Sequence, residues 1–133
     1  MYQKLFDVFK SEIGDINHKL MYMSLKQLKE LKNLGHEIGS HSTSHESYAN
    51  QSRASIKKGI INSFKYLKKN SLVDKNQSTF CYPSGGYSKI AVEELRKQNI
   101  KFGLTTKVGN CLAGKDDNLL LPRFDANDFL KLF

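Results

Sequence analysis

The sequence predicts an α/β fold, a parallel sheet of about four strands with helices outside it. Two observations predict this. Helical and strand-like patterns alternate along the chain from residue 23 onward. Such alternation implies parallel strands joined by right-handed crossovers. The two unusual polar segments, a His-rich stretch after residue 40 and a Pro-Ser-Gly-Gly turn at 83–86, each follow a strand pattern. Ligands of parallel sheets sit at the carboxyl ends of the strands, so both segments are expected on one rim.

The elements are justified in order. Residues 1–20 are hardest to read: Leu5, Phe6, Val8 and Phe9 would form one helical face, but Gly14 and Asn17 break the pattern. Ser24 followed by Gln27 is a capping box, with Met23 and Leu28 at the positions of a hydrophobic staple. Leu25, Leu28, Leu31 and Leu34 line one side of the helix that follows, and Gly35 ends it. A short strand is expected at 37–40. A second helix spans about 52–69, with the stripe Ile56, Ile60, Phe64 and Leu67 and Ile61 beside it. A strand at 79–82 stops at Pro83. A third helix starts near Ser88 and carries Ile90, Val92 and Leu95. Strands are expected at 101–105 and, after a loop at 109–118, at 119–124.

Bulk properties bound the function. A chain of 133 residues is one domain, and 39% hydrophobic residues with eight Phe and six Tyr supply a core. No run of about 18 apolar residues suggests a membrane span. The N-terminus lacks a basic start followed by an apolar stretch, so no signal peptide is read and a cytoplasmic location is favoured. Cys81 and Cys111 form no CxxC pair and read as reduced thiols. The net charge of +8 would suit an anionic partner, but it comes mostly from lysines on helix faces, such as Lys57, Lys58, Lys65, Lys68 and Lys69. Solvated faces explain this better than nucleic-acid binding, which is not expected.

The chemistry centres on His41 and His45. They stand four apart after a strand, and imidazole is a good ligand for zinc and neighbouring divalent metals. An isolated HxxxH pair is weak evidence, because surface histidines at this spacing are common. Its surroundings add more. Residues 35–45 read Gly-His-Glu-Ile-Gly-Ser-His-Ser-Thr-Ser-His, and residues 80–87 read Phe-Cys-Tyr-Pro-Ser-Gly-Gly-Tyr.

These stretches resemble the second and third motifs of the NodB-homology polysaccharide deacetylases, carbohydrate esterase family 4. Leu104-Thr105-Thr106 and Leu121-Pro122-Arg123 are similar to later strand segments in a branch of that family. The resemblance covers about 20–133 and makes residues 1–133 a single partial domain of this type. It implies a partial (β/α) barrel and a metal-dependent hydrolase that removes N-acetyl groups from a glycan. By the same resemblance His41 and His45 are metal ligands, for zinc first and cobalt or nickel next. Tyr82, Pro83 and Ser84 wall a substrate groove, and the Ser84 N–H is an oxyanion donor. His36 and Glu37 match family positions that are not ligands, and they read as a helix exit and a strand start.

The departures are equally specific. The family's first motif, a strand ending Thr-Phe-Asp-Asp, is not found in this sequence. In the family it supplies the third metal ligand and the catalytic base. Asp7 is the nearest approximation, and a polar residue on an amphipathic helix explains it better. Cys81 stands where many members carry arginine, and no histidine follows His45. Asp125 and Asp128 lie near that end and read as helix caps. The ligand set is therefore incomplete, and general-base catalysis worth about 10²–10⁴-fold is missing. A chain of this kind is expected to be a deacetylase fragment, weak or inactive alone. The alternative is a non-catalytic module that keeps the groove for an N-acetylated glycan. The missing first strands would leave an open sheet edge, a route to self-association.

Overall fold

The computed structural model describes residues 22–74 and 78–130. The apolar face expected within residues 1–20, and Asp7 with it, lies outside these. The chain divides into two compact units, Met1–Gly35 and His36–Phe133.

In the first unit, helix α1 spans Leu25–Asn33. Its capping box is complete. The Ser24 hydroxyl accepts from the Gln27 N–H at 3.3 Å, and the Gln27 side chain accepts from the Ser24 N–H at 2.7 Å. Gly35, at φ +92°, ends the helix in the left-handed region that glycine tolerates.

The second unit holds the sheet. Helix α2 spans Arg53–Lys69, strand β1 Thr79–Cys81, helix α3 Lys89–Lys97, strand β2 Phe102–Leu104 and the short helix α4 Ala126–Leu130. A single 3-10 turn, Pro83–Gly85, separates β1 from α3. Strands β1 and β2 are parallel, with Phe80 opposite Gly103. One chain segment flanks the pair on each side through an isolated parallel bridge, Ser40 to Phe80 and Leu121 to Leu104.

The four strands expected from sequence are thus two strands and two bridges. Backbone chemistry explains the difference. At 37–40, Ser40 donates to the Thr79 carbonyl at 2.9 Å and accepts from the Cys81 N–H at 2.8 Å. Gly39 before it lacks a side chain to pack, which weakens a strand. At 119–124 the Leu121 N–H donates to the Gly103 carbonyl, and the Leu121 carbonyl accepts from the Thr105 N–H. The next N–H on that side, of Arg123, goes instead to the Lys107 carbonyl, while the Arg123 side chain takes the Thr105 carbonyl. On the outer side of the 37–40 segment, the backbone groups of Gly39 and His41 make no hydrogen bond among the described residues.

The core lies between this sheet and the two longer helices. Ile56, Ile60, Phe64 and Leu67 of α2 are buried, as are Ala91, Val92 and Leu95 of α3. Phe80 of β1 is fully buried and sits at the centre of an aromatic group. Tyr48 stacks on it at 5.8 Å, and Tyr82 meets it edge-on at 5.3 Å. Where α2 and α3 pack, Arg53 joins Glu93 at 2.8 Å and Glu94 at 2.7 Å. The lysines on the outer side of α2 are exposed, which fits solvated faces. No helix among the described residues is long and apolar enough to cross a membrane.

Candidate active site

The carboxyl ends of all four parallel segments lie on one rim, because the segments run in the same direction. The His loop leaves the first of them. The Pro-Ser-Gly-Gly turn leaves the second.

His41 is oriented from below. Its Nδ1 lies 2.8 Å from the backbone carbonyl oxygen of Cys81. A carbonyl only accepts, so Nδ1 carries the proton and donates it. That leaves the lone pair of Nε2 free, the tautomer that a backbone carbonyl fixes in metal-ligating histidines. His45 comes alongside, with the two ring centroids 4.8 Å apart and the planes at 67°. The backbone makes this approach by two left-handed residues that are not glycine, Ser42 at φ 69° and His45 at φ 58°. Such residues persist only where the surroundings hold them. Tyr48 does so here. It is 1% exposed, and its hydroxyl donates to the Ser42 hydroxyl at 2.9 Å.

The loop and the turn are joined directly. The Tyr48 N–H donates to the Gly86 carbonyl at 3.2 Å. Gly86 sits so close to Ser47 that a methyl group there would run into the Ser47 hydroxyl. Within the turn, Ser84 is exposed and left-handed at φ 53°. Its N–H makes no hydrogen bond among the described residues.

The other two residues expected to wall a groove lie differently. Tyr82 is 2% exposed, and its hydroxyl donates to the Leu119 carbonyl at 2.8 Å. Burial pushes its phenol well above the ordinary range. Pro83 is fully buried. Both side chains hold the turn from beneath, and the surface above is left to Ser84 and to Tyr87, which is 44% exposed. Beside His41 a groove of about 480 Å³ opens between the outer side of the sheet and α2, lined by Gly39, Thr43, Asn62, Tyr66 and Leu67.

Cys81 and Cys111 are both free thiols. Burial raises the Cys81 thiol above its usual range, against a smaller lowering by Arg123. Glu37 accepts from the Thr79 hydroxyl, so it ties the first segment to β1, in keeping with a strand-start role. The adjacent aspartates Asp116 and Asp117 are occupied elsewhere, as are Glu93 and Glu94, which pair with Arg53. Asp116 accepts from the Leu112 N–H at 2.7 Å, and Asp117 accepts from Arg96 and from the Leu119 N–H. Asp125 and Asp128 cap α4, as expected: the Asp125 N–H donates to Asp128 at 2.8 Å.

Two imidazoles with one fixed tautomer suit a divalent cation. A catalytic zinc usually takes three protein ligands. No group of three His, Cys, Asp or Glu side chains that could hold a metal occurs among the described residues. The described donor set is therefore short by one.

The family model for polysaccharide deacetylases matches residues 13–103. The chain belongs to the polysaccharide deacetylase family. Among solved structures it is similar to the Streptococcus pyogenes deacetylase PplD in complex with acetate, at a TM-score of 0.70 and 25% identity. The match covers 92% of this chain and 54% of that one, so the chain spans about half the length of that relative. No curated protein matches it.

Proposed function

We propose that this chain carries part of the active site of a metal-dependent deacetylase that acts on N-acetylated glycans. The observation that carries the reading is the His41–His45 pair, with His41 oriented by the Cys81 carbonyl. In this reading Nε2 of His41 and a ring nitrogen of His45 are two ligands of a divalent metal, zinc first. A cation held there would polarise an acetamide carbonyl and its attacking water. The Ser84 N–H, which makes no hydrogen bond among the described residues and lies on the same rim, stabilises the oxyanion that forms as water adds. The acetate bound by the similar deacetylase fits a product of this chemistry.

A third ligand and a general base come from outside the described residues. The open side of the 37–40 segment supports this, since the Gly39 and His41 backbone groups and the adjoining groove would receive a further strand. The two flanking bridges support an open arc of a (β/α) barrel rather than a plain two-stranded sheet. A second reading, a glycan-binding module without catalysis, is favoured by the short donor set alone.

The test is acetate release from N-acetylglucosamine oligomers with zinc or cobalt. The chain alone should release little. A chain preceded by a segment bearing Thr-Phe-Asp-Asp should turn over, and His41→Ala in it should abolish turnover. Robust release by the chain alone would overturn the need for the added carboxylates. No release by the extended chain would overturn the deacetylase reading.

A further inference from the structure

A second pocket opens on the same rim, beyond the turn. It has a volume of about 190 Å³ and is lined by Thr106, Val108, Arg123, Asp125 and Asp128. Its place is fixed by the turn itself, since a methyl group on Gly85 would run into the Thr106 side chain. The His loop, the turn and this pocket therefore follow one another along the carboxyl ends of the strands.

Arg123 is held firmly at its base. Its Nε donates to the Thr105 carbonyl at 2.9 Å, and its backbone N–H donates to the Lys107 carbonyl at 2.9 Å. The guanidinium forms no ion pair among the described residues, although two carboxylates line the same pocket. Those carboxylates are committed in part. Asp128 accepts from the Asp125 N–H through Oδ2, and Asp125 accepts from Asn127 through Oδ1. One oxygen on each stays outside these bonds.

We propose that this pocket is a subsite for one neutral sugar ring of the glycan, next along the chain from the residue that reacts. It rests on the glycan reading above. The chemistry selects the ligand class. Donors from Arg123 stand in one pocket with acceptors from Asp125 and Asp128, and the Thr106 hydroxyl serves as either. That mixture matches adjacent sugar hydroxyls, each both donor and acceptor. Two carboxylates against one guanidinium disfavour a phosphate or uronate in the same place. Val108, 55% exposed, gives the ring's C–H face an apolar contact. The volume suits a single ring rather than a longer oligomer.

The experiment is a titration of the metal-free chain with the N-acetylglucosamine tetramer, followed by amide NMR and calorimetry. Amides at Thr106, Val108 and Asp125 should shift. Arg123→Ala should weaken binding about tenfold, the scale of a lost charged hydrogen bond. Arg123→Lys should fall between, since it keeps the charge and loses the planar fork. Lys57→Ala, on the exposed face of α2 and away from the rim, should bind the tetramer as the wild type does. Shifts confined to other parts of the rim, or equal binding by Arg123→Ala, would overturn the subsite and leave the deacetylase reading standing. No binding of the tetramer would also overturn it, and acetate release by the extended chain then decides the deacetylase reading separately.

Discussion

The Nδ1 of His41 lies 2.8 Å from the carbonyl oxygen of Cys81, so the strand that ends in the Pro-Ser-Gly-Gly turn also sets the tautomer of the first histidine. At alkaline pH, where imidazoles are neutral, long-range nitrogen–proton NMR should show His41 protonated on Nδ1 and His45 free of that constraint. A dominant Nε2–H form of His41 would mean that the carbonyl does not orient the ring.

The His loop is held through Tyr48, and a glycine makes the space. Gly59 of α2 lies against the Tyr48 hydroxyl, where a methyl group would collide with it. Gly to Ala inside a helix normally gains about 1 kcal/mol. Here Gly59→Ala should lower the melting temperature instead, because Tyr48 is buried against Phe80 and has nowhere to go. Tyr48→Phe should cost about 1 kcal/mol through the lost bond to Ser42. In the double variant the missing oxygen relieves the clash, so the two losses should sum to more than the measured total. Simple additivity would show that the contact is not made.

Much of this was legible in the sequence. The Ser24–Gln27 box, the α2 stripe and the stop at Pro83 are local signals, and local chemistry decides them. The outer strands were overread. The segments at 37–40 and 119–124 read as strands by their place in the helix–strand alternation, but each joins the sheet through a single residue, Ser40 and Leu121. Tyr82 reads as a groove residue from its motif position, and its burial depends on Leu119, 37 residues away. Tyr48 was missed altogether. It is a lone aromatic in a polar loop, and only the aromatic group around Phe80 gives it a role. Arg123 and its pocket were missed for a similar reason, since they join two loops distant in sequence.

Acid should loosen the contact between α2 and α3. The Glu94 carboxyl is 3% exposed, and Lys97 and then Arg53 hold it below the usual carboxylate range. A carboxyl lowered on folding adds stability above its unfolded pKa, about 4.3. That contribution is lost as pH falls through the lower folded value. Glu94→Gln should therefore be less stable than the wild type at pH 7 and should show a flatter decline in melting temperature below about pH 4. Parallel declines in the two proteins would assign acid sensitivity to other groups.

The central claim is that His41 and His45 act together as metal ligands. The most direct measurement is a cobalt titration followed by visible absorption, with the wild type, His41→Ala, His45→Ala and the double variant compared. Expected is weak binding by the wild type, with most of the signal lost in either single variant and no further loss in the double. Cobalt binding that survives both substitutions would contradict the claim.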